Sequence, residues 1–380
     1  MTRSTSVMRI SVLSVLLLIL SILASACGGA AATPTPTAAP RAATSPTTAA
    51  STSASPTAAA ASPTKAATTP TTMAAGKPSY DKPVRISFST WTGYGLIWLA
   101  KDKGFFKQNG IDVQIQLIES PGERFNALAA GSLDGMASSL DAFTRVGAQG
   151  IPVVQVVGLD ESLGGDGIVA KKEIQSIKDL KGKTVAVNIG STSHWFLANV
   201  LAQNGMSLND VKIQDMTAGD AGAAFVAGKV DAAVTWEPWL SRAQKTDFGH
   251  TLVTTKDYPG LIVDTFGFRR DFAQQHPDVV VAFLKGLAQA YDYWQKNPDD
   301  AIQVMATEFK QKPEDVKADL QTIKLFSIAD SKQYFGTPQN PGPIYKVSEQ
   351  IADFWMQIKV IDKKPDVNQL IDPSFLQQVS

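Results

Sequence analysis

Hydrophobic and polar positions divide the chain into three regimes. An apolar run, Ile10 to Leu23, stands near the start, and from Gly28 to about Pro78 the residues are almost all Ala, Thr, Ser, Pro and Gly without strand or helix periodicity. From Lys82 onward, short apolar runs alternate with amphipathic ones. The pattern predicts a strand Val84 to Ser89, a helix Leu96 to Lys107, a strand Ile111 to Ile118, a helix around Arg124 to Ala130, and strands Gly135 to Ser138 and Val153 to Gly158. After Asp179-Leu180-Lys181-Gly182-Lys183 the pattern begins again, with a strand Thr184 to Asn188, a Gly/Ser/Thr turn and a helix His194 to Asn204. Strands alternating with helices imply an α/β fold of mainly parallel sheets flanked by helices. The restart implies two lobes. The apolar extended runs Gly164 to Ala170 and Leu261 to Phe268 read as the two hinge crossovers, and helices Asp278 to Asn297, Pro298 to Phe309 and Ile344 to Ile358 finish the chain.

An internal repeat supports the two-lobed reading. The segment from Ala129 through Gly131, Asp134 and Gly135 to Ser139 aligns without gaps to the segment from Val226 through Gly228, Asp231 and Ala232 to Trp236. Each copy reads as a helix end, a glycine cap, an aspartate, a short strand and a polar residue. In open parallel sheets the ligand crevice lies beyond the carboxyl ends of the strands. The repeat therefore aims Ser138, Ser139 and Asp141 from one lobe, and Thr235, Trp236 and Glu237 from the other, at one shared cleft. Two further strand-to-helix turns have the same character. Trp91, Thr92 and Tyr94 follow the first strand, and Ser191, Thr192 and Ser193 open the helix that carries His194, where free N–H groups and the helix dipole favour polar or anionic ligand atoms. Asp166 and Asp220 lie near crossover and strand-end positions, with solvated turns as their ordinary reading.

The first 80 residues change the picture of where the domain works. Arg3 and Arg9 precede the apolar run, and Ala24, Ser25 and Ala26 lead into Cys27. This order reads as an export signal; the run falls short of the ~20 residues of a spanning helix. The segment resembles a bacterial lipoprotein signal, in which the cysteine becomes the acylated first residue, although Ala24 stands where leucine is usual. The low apolar bulk of the next segment predicts an extended tether. The expected organisation is a signal peptide at 1–26, a disordered tether at 27–80, and a binding domain at 81–380, with one lobe at about 81–165 and 263–380 and the other at about 166–262.

Composition excludes more than it assigns. With 35 basic and 35 acidic residues the formal charge is zero, which argues against nucleic acid as a partner. The single cysteine and three scattered histidines offer no metal-ligand spacing, so neither a metal nor a cofactor is expected. A Ser/Thr turn beside His194 superficially offers a nucleophile and a base, but it is not Gly-x-Ser-x-Gly, and no acid has motif spacing to orient the ring.

The pieces Ala100-Lys101-Asp102-Lys103-Gly104-Phe105-Phe106, Gly228-Lys229-Val230-Asp231-Ala232 and Trp236-Glu237-Pro238-Trp239, with the Asp179 to Lys183 turn, resemble the solute-binding superfamily that serves nitrate, sulfonate, taurine, bicarbonate, thiamine-precursor and riboflavin importers. The resemblance covers the whole globular part. It implies a two-lobed periplasmic-binding clamshell of type II with two hinge crossovers and an ABC permease and ATPase as partners; a monomer, held at the cell membrane through a lipid on Cys27, is expected. The candidate loops contain no arginine or lysine, whereas Trp and acidic residues suit a planar donor-bearing ring. A heteroaromatic vitamin or precursor, such as riboflavin or an aminopyrimidine, is the favoured small-molecule ligand. A sulfonate, taurine, nitrate or bicarbonate is the alternative, and a pyrimidine-forming or hydrolytic enzyme a remote one.

Overall fold

The computed structural model describes residues 78–380. The expected signal peptide, Cys27 and all but the last three residues of the expected tether lie outside the described residues. Among the described residues eleven strands form two sheets: β1 Val84–Phe88, β2 Val113–Leu117, β3 Gly135–Ser139, β4 Val153–Ser162, β5 Asp166–Lys171, β6 Thr184–Val187, β7 Lys212–Asp215, β8 Ala232–Trp236, β9 Gly249–Thr254, β10 Val263–Arg269 and β11 Ile323–Leu325. The first sheet has the order β11-β4-β10-β3-β1-β2 and the second β7-β6-β8-β5-β9.

Each sheet keeps a parallel core of three strands, β2-β1-β3 in one and β7-β6-β8 in the other. The runs expected as crossovers extend these cores. Most of the first run is β5, antiparallel to β8 and β9, and most of the second is β10, antiparallel to β3 and β4. The lobes are thus mixed sheets, and the links between them shrink to 163–165 and 255–262. The physical reason is economy of backbone hydrogen bonding: an apolar extended run is stable inside a domain only when its N–H and C=O groups enter a ladder.

The repeat occupies matching places. β3 and β8 are each the third parallel strand, and Gly131 and Gly228 both adopt the left-handed conformation, at φ 72° and 73°, that ends the preceding helix. Asp134 Oδ2 accepts from the backbone N–H of Arg85 at 2.9 Å, and Asp231 Oδ2 accepts from that of Thr184 at 3.0 Å. Their carbonyls also act alike, accepting from Arg269 N–H at 2.8 Å and Lys171 N–H at 3.0 Å. One aspartate per lobe therefore joins the first parallel strand to the antiparallel one.

Period-2 alternation explains the second sheet's burial on both faces. Ile168, Val185, Val187, Ala232 and Val234 face one core, and Val169, Ala186 and Ala233 the other. The first sheet sits in the larger core, which the helices Pro277–Lys296, Pro298–Phe309 and Pro343–Gln357 complete. Trp195 crosses between lobes. It belongs to the helix Thr192–Gln203, yet packs its ring 4.8 Å from that of Phe354 and donates from Nε1 to the Leu261 carbonyl at 3.0 Å.

Candidate functional site

A cleft of about 980 Å³ opens where the carboxyl ends of the parallel strands converge. The turns after β1, β2 and β3 supply Ser89 to Trp91, Leu117 to Ser120, and Ser138 with Ser139; those after β6, β7 and β8 supply Asn188, Thr217 and Trp236. The antiparallel strands run the other way, so they contribute residues near their starts instead. These are Asp264 on β10 and Asp166 on β5.

Helix N-termini surround this space. Ser120 caps the helix Pro121–Ala129, and Thr217 caps Ala218–Val226, each accepting a backbone N–H at 3.3 Å. Ser191 and Ser139 also stand at N-cap positions, before Thr192–Gln203 and Leu140–Ala148, but their side chains make no capping bond. The first turn of a helix favours polar or anionic ligand atoms through its free N–H groups.

Of the residues expected from sequence, Trp91, Tyr94, Ser138, Ser139, Ser191, Thr192 and Trp236 line the cleft, as do Asp166 and Asp220. The others lie off the lining. Thr92 donates to Asp319 Oδ2 at 2.9 Å, and Thr235 donates to the Ala218 carbonyl at 2.7 Å. Ser193 is buried within its helix. The buried His194 ring accepts the Gly190 N–H through Nδ1 at 3.1 Å, and burial lowers its affinity for a proton. Glu237 turns back on its own helix, accepting from the N–H and hydroxyl of Ser241, both at 3.0 Å. Asp141 lies beneath Ser139 and Thr192, with burial pushing it up to about 6. Thr92, Thr235, His194 and Glu237 are thus held by neighbouring backbone, carboxylate or hydroxyl groups, which position in sequence does not reveal, whereas Asp141 Oδ2 is buried without a partner.

Arg124 brings to the cleft a cation that the candidate loops themselves lack. It comes from the helix after β2, not from a loop, and is 2% exposed. Its Nη1 donates to the carbonyls of Ile118 at 2.6 Å and Glu119 at 3.1 Å, while Nε is buried with no partner. Arg124 forms no ion pair among the described residues. Burial lowers the pKa of its guanidinium, with the charges of Tyr94, Glu119 and Asp264 pulling the other way. A buried guanidinium with a free N–H is a preformed donor for an anionic group.

The acids beside it are equally unusual. Trp91 Nε1 donates to Asp160 Oδ1 at 3.0 Å, and Asp160 Oδ2 has no partner. Burial, then the charge of Asp264, raises Asp160 well above the usual carboxylate range. Asp166 and Asp264 are each pushed up to about 7, mainly by burial; the Tyr94 hydroxyl partly offsets this for Asp264. Trp239 walls the second lobe. Its ring stacks under the Arg242 guanidinium at 4.5 Å, and the side chain lies so close to Gly222 that a Cβ there would meet Trp239 Cβ at 2.5 Å and ring atom Cγ at 2.6 Å.

Residues 91–301 match the family model described as NMT1/THI5 like. A protein of Bacillus subtilis (strain 168) named for binding aliphatic sulfonates is 30% identical over 328 residues, covering 80% of this chain and 90% of that protein. The taurine-binding periplasmic protein of Escherichia coli (strain K12) is 30% identical over 202 residues, covering 52% of this chain and 62% of that protein. Among solved structures, the periplasmic aliphatic sulphonate binding protein of Escherichia coli superposes with a TM-score of 0.65 at 21% identity, covering 77% of this chain and 92% of that one. With its two mixed α/β lobes and the sequence match across both of them, the chain belongs to the NMT1/THI5-like family and has the periplasmic-binding-protein fold.

Proposed function

We propose that this protein is the extracytoplasmic solute-binding component of an ABC importer and that its solute carries a sulfonate. The observation that carries this reading is Arg124, a buried cation that lines the cleft, has no carboxylate contact and leaves Nε unpaired. A sulfonate offers three acceptor oxygens to that N–H and to the first-turn N–H groups behind Ser139 and Ser191. The names of the relatives from Bacillus subtilis and Escherichia coli support the same ligand class. Trp91, Tyr94, Trp236 and Trp239 do supply the aromatic walls that favoured a riboflavin or aminopyrimidine ligand. An unpaired buried cation favours the sulfonate alternative over them.

The protein binds and releases; it does not catalyse. His194, the one base near the Ser/Thr turn, accepts a backbone N–H and stands off the cleft lining. Residues 81–380 form the binding domain, Cys27 carries the lipid anchor, and a monomer delivers solute to the permease and ATPase pair.

The test is a calorimetric and thermal-shift panel of alkanesulfonates, taurine, nitrate, bicarbonate, riboflavin and an aminopyrimidine. A sulfonate present at 100 times its Kd should add about 2.7 kcal/mol to stability. A melting shift with riboflavin or the aminopyrimidine, and none with any sulfonate, overturns the reading.

A further inference from the structure

Asp160 and Asp264 are direct neighbours across the antiparallel ladder of β4 and β10. Residues paired in this way carry their side chains on one face, with Cβ atoms about 5 Å apart, close enough for two carboxyls to share a proton. The turn after β1 covers both. Trp91 donates from Nε1 to Asp160 Oδ1 at 3.0 Å, and Tyr94 presents its hydroxyl to Asp264. Asp160 is buried and its Oδ2 has no partner; Gly93 stands so close that a Cβ there would lie 2.4 Å from that oxygen. Asp264 lines the cleft together with Arg124, whereas Asp160 stands off the lining.

No lysine or arginine forms an ion pair with either acid among the described residues. The charged groups around them are mostly acids. Glu161 follows Asp160 on β4, Asp166 comes from β5 and Asp141 from the helix after β3, while Arg124 from the helix after β2 is the cation acting on Asp264. Arg145 acts on Asp141, Lys324 of the neighbouring β11 is turned to Asp330 at 3.1 Å, and Asp319 accepts the Thr92 hydroxyl at 2.9 Å. Two adjacent buried carboxyls cannot both ionise at neutral pH, so the pair keeps at least one proton. Burial, then the charge of Asp264, raises Asp160 far enough to hold it. Any remaining negative charge faces the cleft through Asp264. An anion held by Arg124 would raise the pair's affinity for a second proton, and that proton would strengthen anion binding by the same factor.

We propose that Asp160 and Asp264 form a proton-binding site coupled to the cleft: when an anionic solute engages Arg124, the pair takes up a proton from solvent and becomes neutral. No other bond forms or breaks, and the proton returns to solvent when the solute leaves. The inference rests on the anionic solute argued above and adds a regulator to that site. Capture is tighter in acid surroundings, and loss of the proton favours release.

The experiment is calorimetry on the intact protein with ethanesulfonate, in cacodylate and in imidazole, two buffers that carry no sulfonate and differ in heat of ionisation. The difference in observed heat counts the protons taken up. The expected result is uptake of about 0.3 to 1 proton per ethanesulfonate near pH 7, with affinity about fivefold tighter at about pH 6 than at about pH 8. Asp160→Asn and Asp264→Asn each remove the mutual repulsion, so each should cut the uptake near pH 7 by about half or more and move the tightening to more acid pH. The double substitution should abolish both. Binding of ethanesulfonate with equal heats in the two buffers overturns the proton coupling and leaves sulfonate capture standing. Uptake unchanged in both single variants, or persisting in the double variant, overturns the assignment to this pair. Failure of ethanesulfonate to bind at any of these pH values overturns the sulfonate reading and the coupling with it.

Discussion

The hydroxyl of Ser139, at the end of β3, lies 2.6 Å from that of Thr192, at the start of the second lobe's first helix. This hydrogen bond spans the cleft between the lobes, which the short crossovers and the Trp195–Phe354 contact also link. Replacing Ser139 with Ala or Thr192 with Val should each remove about 1 kcal/mol from the closed form, a loss of about fivefold in solute affinity. A double-mutant cycle in binding calorimetry checks it. Strictly additive effects would mean that the bond does not couple the lobes.

Arg124 should tolerate no substitution. Arg124→Gln is expected to lower sulfonate affinity by about 100-fold, because the buried anion loses its only cation among the lining residues. Arg124→Lys should recover little, since a single ammonium cannot serve the carbonyls of Ile118 and Glu119 and the ligand together. Both variants can be compared by titration with the same sulfonate.

Asp166 and Asp264 predict how stability depends on pH. Each is raised from the usual 3.8 to about 7 in the folded protein, so between about pH 4 and pH 7 the native state holds more protons than the unfolded chain. The stability tied to these groups is fully present below about pH 4 and lost as pH rises through about 7. Melting temperatures of the ligand-free protein across pH 5 to 8 should fall less steeply for Asp166→Asn and Asp264→Asn. An unchanged slope in both variants would contradict the burial argument.

The two repeat aspartates should differ in cost although their backbone bonds match. The Asp134 side chain is 2% exposed and also binds Arg85 Nη2 at 2.7 Å, whereas that of Asp231 is 32% exposed and binds Lys171 at 2.8 Å. Asp134→Ala is expected to destabilise by about 3 kcal/mol, as loss of one partner from a buried charged network. Asp231→Ala should cost about 1 kcal/mol, the remainder being screened by solvent. Chemical denaturation curves measure both.

Gly222 sets the position of the Trp239 wall. An added methyl would meet Trp239 Cβ at 2.5 Å and the ring at 2.6 Å, so Gly222→Ala should displace Trp239, cost about 2 kcal/mol of stability and weaken solute binding. The tryptophan fluorescence of the variant, with and without taurine, reports the displacement.

Element order was open to reading in the amino-acid chain because it depends on local periodicity. The restart after Lys183 and the gapless match of Gly131, Asp134 and Gly135 with Gly228, Asp231 and Ala232 located both parallel cores and the cleft between them. Strand-end residues such as Trp91, Ser138 and Trp236 followed from that placement alone. The pairing direction of β5 and β10 did not, because an apolar run carries no mark of whether its neighbour is parallel or antiparallel.

The charged chemistry of the cleft was decided by packing across long separations in sequence. Arg124 reads as an ordinary helix residue until its guanidinium is seen folded onto the carbonyls of Ile118 and Glu119. Glu237 reads as a cleft acid until Ser241 is seen to hold it. Asp166 and Asp264, 98 positions apart by number, line one cleft only because two antiparallel strands begin there. Local pattern determined which elements form and where their ends point. Burial and partners, which set the protonation and reach of each charged group, exist only once distant segments have packed.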